Sequence, residues 1–282
     1  MPGLYKLLCI DLDGTLLDSN SELSDFSVSV VKKAQEKGAI VCATSGRLQW
    51  QIAPYVHKLG LNTPMVASNG AHVYDPAKDE YWMRADLPVE ETLKYLKFCI
   101  ENNFRWYLYG HCSISSPVDD AQDPWHKRFY AFIRTQGTPL PDRYLVRTEQ
   151  DCIDALERGC GKLSVKTDQA GLDLISGYYK INRPGTVCKK AAEGLMETMN
   201  EKASKWDAIK LMAKRLGVPE EQICVFGDNM NDFEMIKGCK TSFAMKNGDE
   251  RIFPYATRVI GANFEDGVAH AIEEYILDNI IS

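Results

Sequence analysis

The chain predicts an α/β fold, with a parallel-sheet core domain interrupted by an inserted α+β domain. Three observations carry this. The runs Leu7-Leu8-Cys9-Ile10, Ala39-Ile40-Val41-Cys42-Ala43 and Ile223-Cys224-Val225-Phe226 are short and continuously apolar, as strands buried on both faces require. Segments of helical period follow the first two, the pattern of crossover connections between parallel strands. The alternation stops near residue 70, gives way to a mixed pattern, and returns near residue 205. Both ends of the chain therefore build one domain, expected over residues 1–85 and 192–282, around an insertion over 86–191.

The elements follow in order. After the first strand, Ser24 or Asp25 is placed to cap a helix from Phe26, with Phe26, Val30 and Ala34 at helical spacing and Gly38 as its stop. The second strand runs into Thr44-Ser45-Gly46-Arg47, and a helical segment then ends near Gly60. Met65 to Ser68 is a third short strand. Turn-rich Asp75 to Asp79 separates β-like runs at His72–Tyr74 and Glu80–Met83, which reads as a hairpin. In the insertion, Ala85 to Pro88 reads as a linker, Val89 to Asn102 as a helix, Phe104 to Tyr109 as a strand, Gln150 to Arg158 as a helix and Lys162 to Val165 as a strand. Pro117, Pro124, Pro139 and Pro141 are expected to break up the stretch between. Lys205 to Leu216 is helical with Gly217 at its end, Thr241 to Met245 and Thr257 to Ile260 are strand-like, and Asp266 to Asn279 reads as a closing helix.

Composition narrows the function classes. The 282 residues carry a net charge of −6, which argues against a nucleic-acid binder working through a broad basic surface. No run approaches the roughly 18–20 apolar residues that cross a bilayer, and the first residues show no leader pattern. Nine cysteines are scattered without a Cys-x-x-Cys pair, and Cys9, Cys42 and Cys224 sit inside apolar runs. They read as reduced, buried thiols in a cytoplasmic protein. The five histidines have no zinc-like spacing.

The chemistry concentrates at the strand ends. Asp11 and Asp13 follow the first strand, Thr44 and Ser45 the second, and Asp228, Asn231 and Asp232 the strand Ile223–Phe226. Parallel strands present these ends on one edge, where open α/β sheets bind ligands. Residues i and i+2 of a strand point the same way, so the first two acids share a small volume at an electrostatic cost that a cation or a shared proton relieves. Oxygen ligands of this kind suit magnesium; hydroxyls, a lysine and backbone N–H groups suit phosphate. Taken singly, each has a plainer reading: an Asp-Gly turn, a helix cap at Ser45 or Asn231-Asp232, a solvated charge at Lys205.

Taken in order, DLDGTLL, then TSGR after a strand, then Lys205 in ASKWDAI, then GDNMNDFEMI, the set resembles the haloacid dehalogenase-like phosphohydrolases. SNGA at Ser68–Ala71, the mid-chain insertion and the late FAMKNG segment resemble the Cof-type branch, whose members carry a large cap inserted in a Rossmann-like core. The resemblance covers both arms of the split domain; the cap matches by position and length more than by motif.

The resemblance implies a phosphatase working through an aspartyl-phosphate. In it Asp11 is the nucleophile, Asp13 the general acid and then base, and Lys205 the residue that orients Asp11 and pairs with phosphate. Mg²⁺ is held by Asp11, the backbone carbonyl of Asp13 and Asp228. Leu12, Ser45, Gly46, Lys205 and Asn231 face the phosphate, with Thr44 an alternative to Ser45, and Asp232 stands behind the metal. Arg47 is left as a structural pairing partner. Trp206 stands where the family commonly has glycine, and Lys246 where many members have glycine, so both loops are expected to differ locally. The implied substrate is a small phosphorylated metabolite, sugar phosphates first, with no nucleic-acid or membrane partner. The cap is expected to close over the site and exclude water.

Within the insertion, Trp106, Tyr107, Tyr109, Trp125, Phe129 and Tyr130 either stack on a ring or sugar or, by default, form its core. His111, Arg128 and Arg134 are candidates to meet a polar leaving group or lie on the surface. Two other functions fit the same residues: a phosphomutase or phosphotransferase using the same intermediate, and a non-catalytic phosphate- or metal-sensing module. A sensor has no evident need for both a nucleophile and an acid–base partner.

Overall fold

A computed structural model describes residues 4–182 and 185–281. The chain divides into two compact units, Met1–Arg84 with Ser204–Ser282, and Ala85–Ala203.

The first unit opens with β1 (Leu7–Asp11), α1 (Asp25–Glu36), β2 (Ile40–Thr44), α2 (Gln49–Lys58) and β3 (Met65–Ala67), then the hairpin β4 (His72–Asp75) and β5 (Glu80–Arg84). Ser24 caps α1, its hydroxyl accepting from the Ser27 amide at 2.9 Å.

The inserted unit holds α3 (Val89–Glu101), β6 (Arg105–Gly110), β7 (Ser113–Ser116), α4 (Pro124–Thr135), β8 (Asp142–Leu145), α5 (Glu149–Glu157), β9 (Cys160–Lys166), α6 (Gln169–Asn182), β10 (Thr186–Ala192) and β11 (Leu195–Asn200). The chain then returns to the first unit as α7 (Lys205–Leu216), β12 (Ile223–Gly227), α8 (Phe233–Gly238), β13 (Thr241–Met245), β14 (Arg258–Ile260) and α9 (Gly267–Ala271).

Among the described residues, the first unit's sheet has the order β14-β13-β12-β1-β2-β3-β4-β5. It is parallel from β14 to β3, and β4 and β5 add antiparallel. The connections run outward from β1 on one side through β2 and β3 and on the other through β12 and β13. Asp11 thus ends the strand at the switch point, where the crevice of an open α/β sheet lies. Leu7, Cys9, Cys42, Val66, Val225, Ile209 and Met212 form part of one buried core cluster under this edge.

The inserted unit's sheet, β10-β11-β9-β6-β7-β8, is antiparallel except between β7 and β8. Trp106, Leu108, Leu163 and Val165 pack on one side with Tyr95, Leu96, Cys152 and Leu156 from α3 and α5. On the other side the Tyr107 hydroxyl donates to Asp123, and the Tyr109 hydroxyl lies 3.0 Å from His126 Nε2. Five of the six aromatics singled out in this region, all but Trp125, are therefore buried in the unit's own packing. Trp125 is 37% exposed and stacks on Phe129. His111 pairs with Asp86, and Arg128 and Arg134 are exposed.

Three expectations need correction. Pro124 starts a helix: it occupies the first turn of α4, where its missing N–H costs nothing, and Asp123 caps the turn by accepting from the Trp125 and His126 amides. The second junction expected at 191/192 falls at the end of β10; the division lies at 203/204, because β10 pairs with β11 and β11 with β9. Helix α6 and this hairpin were not anticipated; in the hairpin, Lys189, Lys190 and Glu197 interrupt any apolar run. The closing helix is not uniform: α9 passes into a π turn at Ile272–Ile276 and a 3₁₀ turn at Leu277–Asn279. Among the described residues, no helix is long and apolar enough to cross a membrane.

Candidate active site

The site is built on four segments of the first unit: the loops after β1, β2 and β12, and the first turn of α7. Asp11 ends β1 and is 3% exposed. Its register partner on β2 is Thr44. Ser204 caps α7, and Lys205, the first residue of that helix, is fully buried.

Lys205 Nζ donates to Asp11 Oδ1 at 2.6 Å and to Asp232 Oδ1 at 2.5 Å. Asp232 Oδ2 accepts from the Asp228 and Asn229 amides at 2.9 and 3.1 Å, so this acid fixes the β12 loop and the lysine together. Asp228 Oδ1 accepts from the Thr15 hydroxyl at 3.1 Å. Ligand oxygens of Asp11, Asp228 and Asp232 all lie within 4.8 Å of one another.

Electrostatics single out this cluster. Burial, and after it the neighbouring Asp232 and Asp228, raise the Asp11 pKa, with Lys205 opposing. Burial, then Asp232, push Asp228 up to about 7. For Lys205 burial favours the neutral amine, but the charges and hydrogen bonds of Asp11 and Asp232 outweigh it and raise its pKa. Lys205 therefore pairs directly with two of the acids, and its charge acts on Asp228 without a bond.

The donor set fits a hard divalent ion: carboxylates, with no sulfur or imidazole among them. Asp232 has both oxygens engaged, one by Lys205 and the other by two amides. Asp11 and Asp228 each keep one oxygen outside the bonds just described.

Asp13 departs from the cluster. Its carboxylate, 49% exposed, is gripped by Arg47, Nε to Oδ2 at 2.7 Å and Nη2 to Oδ1 at 2.5 Å. Gly14 then turns the chain at φ +81°, and a Cβ there would collide with Asp228 Oδ2. Leu12 is buried, and its carbonyl accepts from the amides of Thr15, Leu16 and Leu17.

At the second loop, Ser45 is buried and its Oγ accepts from the Arg47 amide at 3.1 Å. A Cβ on Gly46 would lie 2.9 Å from Asn69 Oδ1. That same oxygen accepts from Asn231 Nδ2 at 3.0 Å. The hydroxyls of Thr44 and Ser68 are buried without a hydrogen-bond partner.

Three residues with structural duties here were given none by the sequence. Thr15 holds Asp228. Asn69, left-handed at φ 54°, ties the loop after β3 to Asn231. Asn247 Nδ2 donates to the Gly14 carbonyl at 2.8 Å. The motif text around them, DGT, SNG and KNG, was the available signal. Trp206 leaves Lys205 in place: its indole packs over Gly238 at the end of α8. Lys246 is exposed, and its amide bonds the Ile260 carbonyl.

A sequence profile of haloacid dehalogenase-like hydrolases matches residues 8–272. The chain belongs to that family. It is an enzyme of the family's phosphatase type, a phosphoric monoester hydrolase. Among its relatives are the Bacillus subtilis 5-amino-6-(5-phospho-D-ribitylamino)uracil phosphatase YitU, 25% identical over 95% of this chain and 97% of that one. The Escherichia coli pyridoxal phosphate phosphatase YbhA is likewise 25% identical, over 96% of this chain and 99% of its own length. A crystal structure of a haloacid dehalogenase-like hydrolase from Bacteroides thetaiotaomicron superposes with a TM-score of 0.83 at 23% identity, covering 95% of this chain and 98% of that one.

Proposed function

We propose that this family member is a Mg²⁺-dependent phosphatase of small phosphorylated metabolites, sugar phosphates first, acting through an aspartyl-phosphate on Asp11. The observation that carries the reading is the buried Asp11–Lys205–Asp232 chain beside Asp228. It holds one carboxylate at the end of the central strand, oriented by a cation that has its own fixed counter-ion. Such a carboxylate is placed to act as a nucleophile.

In the first step an Asp11 oxygen attacks phosphorus, the bond from phosphorus to the ester oxygen breaks, and Asp13 gives that oxygen a proton, releasing an alcohol. In the second, water attacks the same phosphorus while Asp13 takes a proton from it. The bond to Asp11 breaks and its electron pair returns to the carboxylate, releasing inorganic phosphate. Lys205 holds Asp11 throughout and pairs with phosphoryl charge. We assign the Ser45 hydroxyl, the Gly46 amide and Asn231 to the phosphoryl oxygens; the Ser45 amide itself donates to the Val66 carbonyl at 2.9 Å. Asp11, the Asp13 carbonyl and Asp228 would hold the Mg²⁺, which supplies charge neutralisation for the dianionic ester.

The substrate class draws support from the relatives. One is named for a phosphoribityl compound, a sugar-alcohol phosphate, and the other for pyridoxal phosphate. The cysteines are free, seven of the nine buried, in keeping with a reducing compartment, and we assign the protein to the cytoplasm. The test is phosphate release from a sugar-phosphate panel and p-nitrophenyl phosphate with Mg²⁺ or with EDTA. The reading requires Mg²⁺-dependent turnover of at least one sugar phosphate in preference to p-nitrophenyl phosphate. Turnover undiminished in EDTA contradicts it.

A further inference from the structure

We infer that Arg47 is a positioning residue for Asp13, holding the acid–base carboxylate at its post by a two-point grip. The inference rests on the proposed role of Asp13. The guanidinium meets both carboxylate oxygens, Nε to Oδ2 at 2.7 Å and Nη2 to Oδ1 at 2.5 Å. A planar fork on a planar carboxylate fixes orientation as well as distance, which a point charge does not.

The two partners differ in surroundings. The Asp13 side chain is 49% exposed, whereas that of Arg47 is 11% exposed. The arginine is the anchored member. Its Nη1 donates to the Tyr55 hydroxyl at 3.1 Å, and that hydroxyl donates to the Ser21 carbonyl at 3.1 Å. The guanidinium carbon stands 5.1 Å from the Tyr55 ring centroid. Its backbone amide donates to Ser45 Oγ. Helix α2, the turn at Ser21 and the loop after β2 therefore converge on one guanidinium whose fork is aimed at Asp13. A half-exposed ion pair contributes little to stability, so an anchor built this way is out of proportion to a stabilising role.

The consequence is mechanistic. Asp13 sits one residue before Gly14, on a turn where an untethered side chain would sample several rotamers. To act as an acid, Asp13 first takes a proton from solvent on one oxygen, which leaves its Arg47 bond, while the other bond keeps the group in place. The proton passes to the leaving oxygen as that oxygen's bond to phosphorus breaks, and the carboxylate returns to the fork.

The test uses leaving groups. p-Nitrophenolate departs without a proton, whereas a simple alkoxide needs one. Values of kcat/KM for p-nitrophenyl phosphate and glycerol phosphate, which report only steps up to formation of the aspartyl-phosphate, are compared in wild type, Asp13→Asn, Arg47→Met, Arg47→Lys and Tyr55→Phe. Arg47→Met is expected to lower the glycerol phosphate value roughly 10–100-fold and the p-nitrophenyl value less than about threefold. Arg47→Lys restores part of the loss, and Tyr55→Phe shows the same selectivity at about three- to tenfold. Should Arg47→Met fail to fold, Tyr55→Phe carries the comparison. Equal losses on both substrates, or none, in the Arg47 and Tyr55 variants overturn the inference if Asp13→Asn still discriminates between them. If Asp13→Asn itself does not discriminate, the acid–base role of Asp13 is what has failed, and the inference falls with it.

Discussion

Lys205 Nζ lies 2.6 Å from Asp11 Oδ1, and both side chains are buried. The contact makes activity and stability separable. Lys205→Met leaves Asp11 and Asp232 buried without their cation and is expected to cost about 3–5 kcal/mol of stability. Asp11→Asn removes one of the crowded charges and leaves Lys205 paired with Asp232. It is expected to abolish turnover with stability equal to wild type or higher. Urea unfolding of the two variants beside activity assays checks the contrast.

Asp228 gives a pH dependence of definite sign. Its carboxyl, pushed up to about 7 by burial and then by Asp232, has a pKa near 4 in the unfolded chain. The folded protein therefore holds a proton that the unfolded chain has lost, and stability falls as pH rises from about 4 to about 7, by at most about 4 kcal/mol. In EDTA the melting temperature should drop between pH 5 and pH 8 and level off above. Added Mg²⁺ should raise it strongly at pH 8 and little at pH 5, because ion and proton compete for the same acid. Asp228→Asn should weaken both trends, with the buried Asp11, whose pKa is also raised, keeping part of the pH dependence.

Thr15 offers a milder perturbation of the same acid. Its hydroxyl fixes one Asp228 oxygen at 3.1 Å, so Thr15→Val should raise the Mg²⁺ concentration for half-maximal activity roughly tenfold, as loss of an orienting partner does. The rate at saturating Mg²⁺ should change little. A Mg²⁺ titration of activity separates the two effects.

Asn69 and Asn231 are predicted to act as a unit. Because Asn231 Nδ2 donates to Asn69 Oδ1, either alanine substitution should lower kcat/KM about tenfold, and the double variant no further than the worse single one. Multiplying effects in that double-mutant cycle would show the two side chains to be independent.

The contrast between these residues shows how far the sequence could be read. Leu7–Ile10 and Ile223–Phe226 were legible as strands because a strand covered on both faces has no polar positions, and the residues that end them were legible because the run stops at a charge. The roles of Thr15, Asn69 and Asn247 were not legible. Each depends on which distant loop folds against it: Asn247 reaches Gly14 across 233 positions of sequence.

The grip of Arg47 on Asp13 was hidden for the same reason, although the arginine itself was noted as a pairing partner. The inserted unit was the least legible part. Its sheet carries Lys162 and Glu197 as a pair at 2.7 Å on neighbouring strands, and such strands lack an apolar signature. Pro124, which reads locally as a breaker, serves as a helix start once Asp123 caps it.

The central claim is that the Asp11 carboxylate forms the covalent phosphoryl intermediate. Acid quenching of enzyme mixed with substrate for a single turnover, followed by peptide mass spectrometry, measures this directly. The account predicts one added phosphoryl group on the peptide containing Asp11, chased by water within the turnover time and missing from Asp11→Asn. Phosphate release by Asp11→Asn at the wild-type rate, or a phosphoryl group found on another residue, would contradict it.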